Sequence, residues 1–254
     1  MPPKFLTTSK IAQAVNVHPN TVRYYEQCGY LPQIPRTPSG YRRFSETHLD
    51  QMRLAHLALQ GPFPGGRSLV ESLVKKSAAN DLGGALELAF AYLARVRGEL
   101  IQADAAIEFL ERWAQGSMFD FSDAQLRIKD TARLLDLTPD MLRNWERNGL
   151  LSVPRDPSNG YRQYGADEIG RLRVIRMLRL AGYSMMAVLR MLRLFDQDRQ
   201  ADLRQALNTP LSDDDILSAG DTWHSTLKAQ ERRALNIIAQ LETMIDKRRG
   251  PKYA

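Results

Sequence analysis

The 254-residue chain is 43% hydrophobic and 25% charged with a net charge of +6, an ordinary globular composition in a length that suits two small domains. Its single cysteine, Cys28, excludes an intrachain disulfide and any multi-thiolate metal or iron–sulfur centre within one chain. No run approaches the roughly 18 apolar residues of a membrane span, and Met1-Pro2-Pro3-Lys4 does not open an apolar signal core, so a cytoplasmic location without a membrane partner is expected.

In chain order, Ile11, Ala12 and Val15 carry the spacing of one helical face, with Thr7 or Thr8 as N-cap. Asn16-Val17-His18 then turns the chain into a second helix opened by Pro19, whose missing N–H costs nothing in the first turn. That helix closes at Gly29, the residue type best suited to a left-handed C-terminal position. Two short helices joined by a tight turn make a helix-turn-helix. Val22 and Tyr25 fall on its inward side and leave Asn20, Thr21, Arg23, Tyr24 and Gln27 to face outward. Such residues can hydrogen-bond base edges or phosphates, although a merely solvated helix face would carry the same types.

The broken connector Pro32 to Pro38 leads into Ser39-Gly40-Tyr41-Arg42-Arg43-Phe44, the return arm of a hairpin turning at Gly40. One of Tyr41 and Phe44 packs inward while the other, with its arginine neighbours, faces out. An arginine there is placed to hold a phosphate, which fixes register without reading sequence. A third helix follows with Leu49, Met52 and Leu57. Gly61-Pro62-Phe63-Pro64-Gly65-Gly66 then makes a stiff bend.

Every feature up to the third helix recurs 120 residues later, and the two segments align without a gap. Thr138 caps Pro139, Leu142 and Trp145 face inward, and Gly149 closes the helix. Asp140, Arg143, Asn144 and Arg147 face outward, and Gly160-Tyr161-Arg162-Gln163-Tyr164 forms the arm. After the third helix the copies diverge: Ser184 caps a helix around Met186 to Leu194, where copy one has its prolines. The positive charge sits on the repeats, at +4 for residues 1–66 and +5 for 123–195, against −2 for 67–122 and −1 for 196–254. That distribution suits a polyanionic partner.

Residues 84–115 read as one long amphipathic helix, with Leu86, Leu93, Leu100 and Ile107 in one heptad row and Ala89, Val96, Ala103 and Leu110 in the other. Residues 215–248 offer a weaker seam of Trp223, Gln230, Ile237 and Met244 with Leu227, Ala234 and Leu241, loosened at Gln230 and opened by Ser212 ahead of Asp213, Asp214 and Asp215. Within one chain the two helices meet at an effective concentration of about millimolar. An intramolecular pair is therefore expected over a homodimer.

Both repeats resemble the DNA-binding domain of the MerR (mercuric-resistance regulator) family of bacterial transcription regulators, a winged helix-turn-helix. The resemblance rests on Thr21-Val22-Arg23-Tyr24-Tyr25-Glu26, Gly29-Tyr30-Leu31 and Gly40-Tyr41-Arg42-Arg43-Phe44, and on Met141-Leu142-Arg143-Asn144-Trp145-Glu146, Gly149-Leu150-Leu151 and Gly160-Tyr161-Arg162-Gln163-Tyr164. It implies that Arg23, Tyr24, Arg42 and their partners in copy two lie at positions the family uses for DNA. It also implies promoter DNA and RNA polymerase as partners. Members of the family carry one such domain per chain and dimerise through a long helix; this chain carries two, with Asn144 where the family has tyrosine.

The resulting expectation is a mainly α fold of two winged helix-turn-helix domains, 5–75 and 125–195. Each is followed by a long helix, in 76–117 and in 196–254, and 118–124 is the linker. The two long helices form an antiparallel coiled coil, so that one chain imitates a dimer and reads an asymmetric site with two unlike domains. The alternative is a small-molecule-binding or sequestering protein on the same scaffold, for which Trp113, Phe119 and Trp223 are candidate ligand contacts for an unidentified effector. His18, His48, His56 and His224 are too scattered for metal binding or nucleophilic catalysis, and no cofactor or enzyme activity is expected.

Overall fold

The computed structural model describes residues 5–64, 66–116, 125–209 and 219–249. The described residues are mainly helical; they form no extended strand, only isolated antiparallel bridges. None of their helices is long and apolar enough to cross a membrane. Two compact units emerge, one of Met1–Glu99 with Leu227–Ala254 and one of Leu100–Thr226.

In the first unit, α1 (Thr8–Ala14) is capped by the Thr7 side chain and α2 (Pro19–Gln27) by His18, whose ring accepts from the Asn20 N–H at 3.2 Å. α2 ends as expected of its glycine. Gly29 takes φ +72°, its N–H reaches the Glu26 carbonyl at 3.1 Å, and the Tyr30 N–H reaches that of Tyr25 at 2.9 Å. α3 (Glu46–Ala58) and α4 (Arg67–Ala78) complete the domain over a core in which Val22, Phe44, Met52 and Val70 are fully buried.

The second unit repeats the plan with α6 (Ile128–Leu134), α7 (Pro139–Arg147), α8 (Ala166–Leu180) and α9 (Met185–Gln197). Thr138 caps α7 and Ser184 caps α9, accepting from the Met141 and Ala187 N–H groups at 3.2 and 2.9 Å. The second unit then adds a short helix, α10 (Leu203–Asn208), that the first lacks.

α5 (Leu82–Ala114) contributes residues to both units, as does α11 (Trp223–Arg249). In the first unit Ala85, Ala89, Tyr92, Leu93 and Val96 of α5 share a buried cluster with Ala234, Ile237, Ile238, Leu241 and Met244 of α11. The buried stripe of α5 is turned slightly from the expected seam: Ala89, Val96, Ala103 and Leu110 are buried, but Leu86 and Leu100 are only half-buried while Ala85, Tyr92 and Ala106 go inside. Gln230 does not loosen the row. It is buried, and its side-chain carbonyl accepts from the Tyr92 hydroxyl at 3.2 Å, so the polar group is satisfied.

Two further expectations change. Ala219–Thr222 forms a 3-10 turn, so the last α-helix begins at Trp223. The proposed cap Ser212 with Asp213, Asp214 and Asp215 lies outside the described residues, as do Phe119 and the linker. The repeat is also not gapless. The arm bridges pair Arg36 with Arg42 but Arg155 with Arg162, so the connector of copy one is one residue longer before the arm and one shorter at its tip. The two differences cancel, which is why the offset of 120 reappears at Gly40 and Gly160.

Phe44 and Tyr164 occupy corresponding places in the two cores, both fully buried, and the Tyr164 hydroxyl has no hydrogen-bond partner. A buried hydroxyl without a partner costs about 1–3 kcal/mol. Tyr164→Phe should therefore raise stability by about 1 kcal/mol in urea denaturation, since copy one already closes the same site with phenylalanine.

Candidate nucleic-acid interface

In each copy the recognition helix presents a polar face. On α2, Asn20, Arg23, Tyr24 and Gln27 are exposed and Thr21 is half-buried; on α7, Asp140, Arg143, Asn144 and Arg147 are exposed. These side chains are partly organised by one another. Arg23 donates to the Asn20 side-chain oxygen Oδ1 at 2.8 Å, Arg143 pairs with Asp140 at 2.6 Å, and Asn148 donates to the Asn144 side chain at 2.9 Å. Copy two therefore offers a face on which one of two arginines, Arg143, is partly neutralised, with exposed Met141 beside it.

The arm stands beside this helix because a carboxylate holds it there. Arg42 donates through Nε to Glu26 at 2.6 Å, and Arg162 donates in the same way to Glu146 at 2.5 Å. Arg42 and Arg162 thus differ from the freely outward arginines expected from sequence: their side chains are only 22% and 26% exposed, and Nε is committed to the helix. Arg36 and Arg155 approach the same carboxylates at 3.8 and 3.7 Å while remaining about half exposed (51% and 53%). They were missed in the sequence because they sit at unequal offsets in the connector. Tyr41 and Tyr161 project at 75% and 61% exposure. Arg43 lies 3.6 Å over the Phe5 ring, and Gln163 replaces it in copy two, where Arg127 instead stacks on Tyr161 at 4.8 Å.

The arm tips differ in chemistry. In copy one Gly40, at φ +85°, closes a turn onto the Thr37 carbonyl. In copy two the longer turn is organised by Asp156, whose carboxylate accepts from the Ser158 hydroxyl and N–H and from Asn159. Those donors, the Ser158 hydroxyl first, hold its pKa below the usual carboxylate value.

The end of each recognition helix is gripped from the third helix by a residue that sequence reasoning did not single out. Gln51 donates to the Tyr30 carbonyl at 2.9 Å and receives the Ser77 hydroxyl at 2.7 Å. Arg171, at the matching position, donates to the Leu150 carbonyl at 2.6 Å and pairs with Asp196. Copy one adds a polar cluster at this end. Glu71 accepts from Tyr30 at 3.0 Å and from Arg67 at 2.7 Å, which ties two side chains of α4 to the end of the recognition helix. Copy two has Leu150 in the place of Tyr30, with no hydroxyl to make this bond.

Of the aromatic ligand candidates, the two among the described residues, Trp113 and Trp223, do not line one cleft. Trp113 stacks on Phe195 with ring centroids 4.6 Å apart and lines a cleft of about 670 Å³. Trp223 is absent from that lining; it covers Gly182, with its indole N–H buried and unpaired. Among the described residues no group of three or more His, Cys, Asp or Glu side chains could hold a metal ion.

A family model described as MerR family regulatory protein matches residues 7–44, and one described as MerR HTH family regulatory protein matches residues 126–194. Both repeats are thus matched by MerR-family models. The MerR match in copy one stops at the end of the arm, before the bend where the copies diverge, while that in copy two continues through most of α9. Relatives include a probable heavy metal-dependent transcriptional regulator of Haemophilus influenzae, 30% identical over 76 residues, which are 30% of this chain and 59% of that protein. The HTH-type transcriptional regulator CueR of Escherichia coli O157:H7 is 29% identical over 82 residues, 32% of this chain and 61% of the relative. The mercuric resistance operon regulatory protein of Bacillus cereus is 37% identical over 43 residues, 17% of this chain and 33% of that protein. The chain thus spans about three-fifths of the length of the first two, and no solved structure gives a significant match.

The Glu71 cluster gives the first repeat a pH signature. Arg67 and Tyr30 hold the Glu71 carboxyl below its ordinary value of 4.5. A depressed carboxyl contributes stability that is present above its unfolded pKa and lost as pH falls through its folded one. Glu71→Gln should accordingly flatten the loss of stability below about pH 4.5, measured as urea midpoints against pH, and leave the neutral range less stable than the parent.

Proposed function

We propose that the chain is a non-enzymatic transcription regulator that binds promoter DNA through two unlike winged helix-turn-helix domains. The carrying observation is the doubled constellation of an exposed recognition face and an arm tied to it by Glu26–Arg42 in one copy and Glu146–Arg162 in the other. In each copy the helix has the length and chemistry to enter a major groove. The arm, acting as the wing, brings Arg36 with Tyr41, or Arg155 with Tyr161, toward the backbone. Arg23, Tyr24 and Gln27, against Arg143, Asn144 and Arg147, are the base-reading candidates; Asn20, Thr21 and Asp140 open the two helices. Arg42, Arg43, Arg162 and Gln163 complete the set near phosphates.

The long helices are proposed to pair antiparallel, so that one chain supplies both halves of a pseudo-dimer. Supporting this, α5 meets α11 through Tyr92 and Gln230 in the first unit and through Asp104 and His224, at 2.9 Å, in the second, so rising numbers in one helix meet falling numbers in the other. A homodimer places identical faces on both half-sites and requires a palindrome; a monomer with two different faces does not. The names of the relatives, which describe transcriptional regulators, favour RNA polymerase at the promoter as the functional partner.

Selection of duplexes from a random pool by the purified chain tests the reading. The expected product is a motif with two half-sites of different sequence, bound by one chain. A strict palindrome would overturn the pseudo-dimer, and failure to enrich any motif would overturn sequence-specific binding.

A further inference from the structure

α9 carries a stripe that the helix-turn-helix plan does not need. Met186, Leu189, Arg190, Arg193 and Leu194 share one side of it, and α10, packed alongside, turns that side into a groove of about 480 Å³ with Ala206 on the opposite wall. The volume falls in the range of small-molecule sites. Copy one has no equivalent of α10, so this groove belongs to the second unit alone.

The groove has a defined polarity. Its apolar part is exposed where a core would not be: Met186 is 50% exposed and Leu194 36%. Arg190 is occupied, donating to the Ala206 carbonyl at 3.0 Å and the Asp221 carbonyl at 3.2 Å. Asp202 is occupied as the N-cap of α10, accepting from the Gln205 N–H at 2.8 Å. Arg193 is different: it is exposed, lines the groove, and has no hydrogen-bond or ion-pair partner among the described residues.

We propose that this groove binds a small amphipathic organic anion, its hydrocarbon body against Met186, Leu189 and Leu194 and its carboxylate on Arg193. A neutral apolar molecule would bury the same surface but leave the guanidinium unused. A cationic one would meet Arg193 and Arg190 with like charge. The groove also adjoins the recognition helix of its own unit. Leu189 reaches 3.9 Å from the position a side chain would take at Gly149, and Asp196 of the same helix pairs with the Arg171 that grips the Leu150 carbonyl. An occupant bearing on Leu189 therefore bears on the C-terminal end of α7. That coupling rests on the DNA-binding reading; the binding of an anion does not.

Calorimetric titration of the full chain with 2-naphthoate, and with naphthalene-2-carboxamide as the same rings without the charge, tests the site. Saturable one-to-one binding of naphthoate is expected, about tenfold tighter than the amide. Arg193→Ala should cost naphthoate about that tenfold and leave the amide unchanged, while Leu194→Asp should weaken both. Both substitutions are at exposed positions, and an unchanged urea midpoint confirms the fold. Absence of saturable binding, equal affinity for the two probes, or naphthoate binding unaffected by Arg193→Ala and Leu194→Asp would each overturn the proposal.

Discussion

The arrangement of each repeat depends on one ion pair, between a glutamate on the recognition helix and an arginine on the arm. The arm is held to its own return strand by a single bridge and a few backbone hydrogen bonds, too little for a hairpin to keep a fixed direction in water. The glutamate supplies that direction. Both partners are only about one-fifth to one-quarter exposed, so the pair is less screened than a surface salt bridge. The same geometry recurs in two domains whose other contacts differ, which identifies it as a requirement of the plan rather than an accident of one surface.

Around that common pair the two copies have been built with different chemistry. Copy one secures the end of its recognition helix with neutral and charged polar groups, Gln51, Ser77, Tyr30, Glu71 and Arg67. Copy two uses Arg171 and Asp196 and an apolar contact through Leu189. The outward faces diverge as well, with a phenol at Tyr24 against an amide at Asn144, and an arginine held by the neutral Asn20 amide against one paired with the Asp140 carboxylate. Two domains that fold alike and present unlike surfaces are what a single chain would need to grip a site lacking symmetry.

Local signals made most of the helical plan legible. Thr7, Thr138 and Ser184 cap the helices they precede, Gly29 and Gly149 terminate the recognition helices, and the inward pairs Val22/Tyr25 and Leu142/Trp145 are buried. Each of these is decided within about one turn of chain, where sequence spacing and physical neighbourhood coincide. What spacing could not reveal was pairing at long range. Gln230 looks like a defect in an apolar row until Tyr92, 138 residues away, is seen to donate to it. Arg42 looks like a free cation until Glu26 is placed beside it, and Arg36 is hidden because its partner in copy two lies at a different offset. The candidate interface was thus legible as a list of outward residues, but not as a set with internal partners.

The most direct test replaces the glutamate while keeping its shape, as Glu26→Gln and Glu146→Gln, and measures affinity for the selected duplex and for a scrambled one by fluorescence anisotropy at fixed salt. On the proposed DNA-binding function, removing a negative charge should by bulk electrostatics tighten binding everywhere. If the glutamate positions the arm, each variant instead loses about tenfold on the selected duplex, roughly 1.4 kcal/mol, and holds or gains on the scrambled one. Equal or tighter binding to both duplexes would contradict the account.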